Sequence, residues 1–193
     1  MPNWCLTEYK CVGNPKEVRE LHKVLKYIDR RKTTIVRNGF GKWWLGNLVT
    51  KLGGKWEDYR CRGEIIDYSL DCDILIISQS TAWCEQEGVR RIIQEKFPSI
   101  KVYYREEEPG CGVYYTNDTT GCYFPEQYLI DNDEEPRYFE TIENAAEWVS
   151  DLVCHKVETD STDIQAALDD YVASQENPEE HFYSLHEFTI VED

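Results

Sequence analysis

The sequence predicts an α+β fold: an antiparallel sheet with two helices on one face, followed by an acidic helical extension. Three observations carry that expectation. Side chains from Trp4 to Val12 and from Ile100 to Arg105 alternate with period two, as strands with two unlike faces do. Ile74-Leu75-Ile76-Ile77 is apolar on both faces and reads as a central strand. Val18, Leu21, Leu25 and Ile28, and later Val89, Ile92, Ile93 and Phe97, recur at helical spacing.

The elements follow in order. The strand from Trp4 ends at Gly13-Asn14-Pro15, where Asn suits an N-cap and Pro the first helical turn. The helix that follows turns its aliphatic stripe inward and Lys16, Arg19, Lys23, Lys26 and Arg30 outward, with His22 at the boundary. Residues 33–54 form a glycine-interrupted insert holding Trp43 and Trp44, with a short helix at about 43–52 stopped by Gly53-Gly54. Asn38-Gly-Phe-Gly-Lys42 has a surface likeness to a phosphate loop but lacks its spacing and its preceding strand. Strands at Arg60–Tyr68 and Asp73–Trp83 are expected to form a hairpin through Ser69–Cys72. A helix then leads from Thr81-Ala82-Trp83 to Pro98, which stops it. The strand from Ile100 ends in a turn, Glu106–Gly110.

Gly112–Thr116 and Cys122–Ile130 are further strand candidates, joined by a loop rich in turn residues. Asp131–Pro136 reads as a linker, which places a first domain at 1–131 and the acidic extension at 132–193, packed on the first domain. That extension holds a helix from Ile142 to Cys154 capped by Thr141, a second helix from about Thr162, and a terminal strand.

From Trp4 to Arg105 the order strand, helix, insert, strand, strand, helix, strand is the split βαβ arrangement called ferredoxin-like. Met1-Pro2-Asn3-Trp4-Cys5, Gly13, Gly53-Gly54-Lys55-Trp56-Glu57, Thr81-Ala82-Trp83, Phe97-Pro98, and Tyr104 with Glu108-Pro109-Gly110 together resemble the YubB-type ferredoxin-like family over about residues 1–131. The chain departs from that pattern at Cys84-Glu85, where a proline-containing turn is usual, and in its acidic tail. The resemblance implies a ferredoxin-like fold and a plasmid, phage or other mobile-element setting. It implies no activity and no catalytic residues.

Charge is the most informative part of the composition. The net value is −16, yet residues 1–62 carry 14 Lys/Arg against 6 Asp/Glu, and from Glu126 onward there are 2 against 20. Such asymmetry suits self-complementary halves, a cationic partner or solubility. No stretch approaches the roughly 18 uninterrupted apolar residues of a membrane span, and the start has no secretory lead, so a cytoplasmic protein is expected.

The eight cysteines include no C-x-x-C pair and are not interleaved with the four histidines at ligand spacing. Small buried thiols are therefore expected, and neither a metal nor a cofactor. Cys84 sits at a strand-to-helix junction, the kind of place where a thiol can be activated, but no histidine lies near it in sequence. Glu106–Glu108 and Asp131–Glu135 are acidic runs without calcium-loop spacing.

Two functional expectations follow. The first is a non-enzymatic interaction protein whose acidic surface, with Asp131, Asp133, Glu134 and Glu135, engages a basic protein partner, in one version by mimicking DNA. The second is a small-ligand binder or enzyme using the open sheet face and the insert, with Trp43, Trp44, Trp56, Trp83 and Glu108 as binding residues. Overall acidity argues against nucleic acid as the partner.

Overall fold

The computed structural model describes residues 3–192. It is an α+β protein whose described residues form five α-helices. The chain divides into two compact units, Met1–Asp118 with Val191–Asp193, and Thr119–Ile190.

The first unit is built on strands β1 (Trp4–Val12), β2 (Gly63–Asp71), β3 (Ile74–Ala82), β4 (Lys101–Glu108) and β5 (Val113–Thr116). They lie in the order β2-β3-β1-β4-β5, and each of these neighbouring pairs is antiparallel. The register puts Tyr9 beside Ile77 on one side and Tyr104 on the other, and Cys11 beside Leu75 and Val102. Since strand side chains alternate, that one face collects Cys5, Thr7, Tyr9 and Cys11 with their partners.

Helices α1 (Pro15–Arg30), α2 (Leu45–Leu52) and α3 (Glu87–Lys96) all contribute to the single buried cluster on that face. Two helices were expected there, and the insert supplies the third. Asn14 caps α1, its Oδ1 accepting from the Lys16 N–H at 2.9 Å, with Pro15 beginning the helix. Val18, Leu21, Leu25 and Ile28 are buried, each contributing about 1.5–3 kcal/mol before entropy. His22 stays at the boundary, edge-on to Tyr68 at 5.7 Å. The α2 helix begins two residues later than expected and ends at Gly53, whose φ of 102° only glycine adopts without strain.

Several boundaries differ from the sequence reading. The β2–β3 turn is Cys72-Asp73, with Cys72 left-handed at φ 51°, and not Ser69–Cys72. A bulge between Ile65 and Asp67 leaves Ile66 exposed. The α3 helix begins at Glu87, because the chain from Trp83 to Gln86 is held by side-chain and backbone bonds of its own. Strand β4 continues through Glu108, so the expected turn at Glu106–Gly110 is displaced. Glu106 and Glu108 keep the strand's alternation and point to the helix-covered face, where both are buried.

The second unit is not a purely helical extension. Strands β6 (Tyr128–Asn132), β7 (Arg137–Phe139) and β8 (Tyr183–Glu187) form an antiparallel sheet in the order β7-β6-β8. Helices α4 (Ile142–Val153) and α5 (Ser161–Ala173) pack on it through Ile130, Ala145, Ala146, Val149, Ile164 and Leu168. The Cys122–Ile130 strand shrinks to one starting at Tyr128. The supposed linker, Asp131–Pro136, is the end of β6 and its hairpin turn: Asn132 Oδ1 accepts from the Glu134 and Glu135 N–H groups at 2.9 and 3.0 Å. The boundary therefore falls at Asp118/Thr119 and not at residue 131. After β8 the chain returns to the first unit at Val191, whose N–H donates to the Thr116 carbonyl at 2.8 Å.

Candidate functional site

The insert between α1 and β2 positions a cleft of about 590 Å³ in the first unit. Asn47 makes it possible. Buried on α2, it accepts from the Ile35 and Val36 N–H groups at 3.1 and 2.8 Å and donates to the Gly41 and Lys42 carbonyls at 3.0 and 3.2 Å. Four backbone groups of a glycine-rich loop are thereby satisfied by one amide, which fixes the loop's path and holds out Phe40.

Trp44, the residue preceding α2, forms the back wall. Its Nε1–H donates to the Cys61 carbonyl at 2.6 Å. Its ring stacks on Phe40 at 5.0 Å and meets Trp56 edge-on at 5.2 Å. The ring lies over Gly46, where a Cβ would stand 2.3 Å from ring carbons. Gly63 forms part of the lining because β2 approaches β3 closely: a Cβ there would sit 2.4 Å from the Ser80 carbonyl oxygen.

The charged rim comes from Arg60, Arg62, Glu57 and Glu64. The buried Gln86 side chain accepts from the Arg62 N–H at 3.0 Å and so fixes the segment bearing both arginines. Among the described residues neither guanidinium has a hydrogen-bond or ion-pair partner, nor do the carboxylates of Glu57 and Glu64. Trp4 and Phe40 are 57% and 58% exposed, leaving two large rings open to water at the cleft.

Of the residues singled out from sequence, Trp44 and Trp56 meet in this cleft. Trp43 does not line it: it packs on the core beside Tyr68 and carries Lys42 over its ring at 5.2 Å. Lys42 is bound to Asp29 at 3.0 Å, so it is not held out as a phosphate-loop lysine would be. Trp83 is also outside the lining, exposed on a left-handed residue with φ 77°. Glu108 is buried, and its Oε1 accepts from the Gly110 N–H at 3.1 Å, so it caps a turn. Trp4, Phe40, Arg60 and Arg62 were not singled out. The i, i+2 arginines flanking the apolar Cys61 were the available signal.

A second polar group lies within the core. Glu85 accepts from the Tyr9 hydroxyl and from Arg90 Nε at 3.2 Å, and Glu106 accepts from the Glu85 N–H and the Cys5 thiol. Burial raises both carboxyl groups above the usual range, with Arg90 acting against it. Gln79, opposite Thr7 on β3, is buried beside this group. Cys84 is half-buried, and burial pushes its thiol up, the opposite of what a thiolate nucleophile needs. No group of three or more metal-ligating side chains occurs among the described residues.

Small buried thiols are expected from the sequence, but only Cys5, Cys11 and Cys61 are buried. Cys5 and Cys11 are pushed up to about 12 and Cys61 to about 11, in each case chiefly by burial, whereas Cys72, Cys111, Cys122 and Cys154 are exposed. Iodoacetamide labelling read by peptide mass spectrometry is expected to modify those four in the native protein, Cys84 more slowly, and Cys5, Cys11 and Cys61 only in denaturant. Native labelling of Cys5 or Cys11 as fast as Cys154 would contradict the packing.

In the second unit, Asp133 pairs with His181 at 2.6 Å, while Glu134 and Glu135 are exposed on the turn and Asp131 is half-buried on β6. Thr119–Ile190 holds 18 Asp/Glu and 2 Lys/Arg, whereas the first unit holds 19 of each sign. The net charge of −16 thus resides entirely in the second unit. No family model, curated protein or solved structure matches this chain. No helix among the described residues is long and apolar enough to cross a membrane.

Proposed function

We propose that this is a non-enzymatic interaction protein whose second unit engages a basic protein partner. The observation that carries the reading is the segregation of charge: a small unit with its own core keeps 18 carboxylates against two cationic side chains, Arg137 and Lys156. On α4, Glu143, Glu147 and Asp151 are exposed and follow one another at i, i+4, roughly 6 Å apart along the axis. Like charges so placed cost a few tenths of a kcal/mol per pair in the free protein. A cationic partner would turn that repulsion into attraction and speed the encounter. Where the partner's basic surface is one that binds DNA, the carboxylate row competes with phosphates for it.

The proposal includes a ferredoxin-like first unit of the YubB type and a cytoplasmic, mobile-element setting. The order β2-β3-β1-β4 with antiparallel neighbours, and α1 and α3 in the same buried cluster, supports the fold part. The further strand β5 and helix α2 would be additions to it.

The test is capture of partners from cell extract by the full chain and by a variant with Glu143, Glu147, Asp151, Asp163 and Asp170 changed to Gln or Asn. The expected result is a basic protein held by the native chain, released by salt, displaced by duplex DNA and lost from the variant. Equal recovery by the variant would refute the reading; all five side chains are exposed, and circular dichroism verifies that the variant keeps its fold.

A further inference from the structure

We infer that the cleft of the first unit is a binding site for a mononucleotide. This goes beyond the reading of the second unit and does not depend on it. Three features of the cleft match the three parts of such a ligand. Its walls are aromatic: Trp4 and Phe40 are exposed there and offer ring faces on which a base stacks, while Trp44 and Trp56 stand behind and support them. Arg60 and Arg62 present two guanidinium groups from the short segment leading into β2 without any carboxylate partner, a pair suited to phosphate oxygens. Glu64 supplies an acceptor for sugar hydroxyls.

The volume, about 590 Å³, lies inside the range of small-molecule pockets. Glu57 and Glu64 make the rim formally neutral, so the attraction for phosphate comes from the position of the arginines and not from a general positive field. The arrangement is also built in advance of binding. Gln86 fixes the backbone of the arginine segment, Asn47 fixes the loop that carries Phe40, and the Cys61 carbonyl fixes the Trp44 ring. Preorganisation of this kind lowers the ordering cost of association.

The experiment is isothermal titration of the full chain with AMP and with adenosine. AMP is expected to bind and adenosine to bind about tenfold more weakly, the worth of one charged hydrogen bond. The double variant Arg60→Ala/Arg62→Ala is expected to lose that tenfold preference while keeping adenosine affinity. Phe40→Ala is expected to weaken both ligands alike. All three side chains are exposed, so the variants retain the fold, which circular dichroism verifies. No heat of binding at millimolar AMP, equal affinity for AMP and adenosine, or an arginine variant that binds AMP as the native chain does would each overturn the proposal.

Discussion

Trp44→Ala is expected to destabilise the first unit by about 3–5 kcal/mol, the usual cost of truncating a buried Trp, and to abolish the cleft in whatever remains folded. The side chain is 8% exposed, and three separate interactions end with it: the stack on Phe40, the edge contact with Trp56, and the indole hydrogen bond to the Cys61 carbonyl. The last is the shorter of the two bonds to the Cys61 carbonyl, which would keep only the Gly63 N–H at 3.2 Å. Gly46 adds a control from the other direction. Its missing Cβ is what lets the ring lie flat on α2, so Gly46→Ala keeps the Trp but drives it outward. Urea unfolding followed by tryptophan fluorescence measures both variants, and five of the six tryptophans belong to the first unit. A loss below about 1 kcal/mol for Trp44→Ala would mean that the ring is not the wall described.

Arg90→Ala is expected to cost about 3–5 kcal/mol at neutral pH, because it strands a buried carboxylate. The Arg90 and Glu85 side chains are only 10% and 6% exposed, and Arg90 also lies over the Tyr104 ring at 5.0 Å. With Arg90 gone, Glu85 keeps the Tyr9 hydroxyl as donor but has lost its countercharge. The pH dependence distinguishes this cause from lost packing. Burial already holds the Glu85 carboxyl above its ordinary 4.5, so the folded chain binds a proton more readily than the unfolded one. The associated stability is complete below pH 4.5 and is lost as pH rises through the higher folded value. Removing Arg90 takes away the largest influence opposing that rise. The deficit of the variant should therefore shrink toward acid pH and grow toward alkaline pH. Adding Glu85→Gln, which keeps an acceptor for Tyr9, should remove most of the pH dependence. A deficit independent of pH would assign the loss to packing alone.

These two groups illustrate what was legible in the chain and what was not. The apolar stripes of α1 and α3 and the alternation of β1 could be read directly, because burial of one face is a local, periodic property. The Glu106–Glu108 run could not. Three adjacent carboxylates suggest a solvated turn, and only the donors brought from Cys5 and Glu85 make burial of Glu106 tolerable, while Glu108 takes a local bond from Gly110. Asp131–Pro136 likewise reads as a linker until β8 arrives, more than 50 residues later, to pair with β6. The cleft shows the same division: Trp44 and Trp56 could be noticed, but Trp4 and Arg62 become its neighbours only through the β1–β3 and β2–β3 pairings.

By itself the sequence determined the strand and helix order from Trp4 to Lys96, the caps of α1 and α4, and the concentration of negative charge after Glu126, since these depend on spacing, capping chemistry and counting. Only the tertiary structure decided that the charged part is a unit with its own sheet, that two glutamates of β4 face inward, and that aromatic rings and two unpaired arginines share one cleft. The physical reason is that these outcomes follow from the pairing of strands distant in sequence, which sets what each side chain faces.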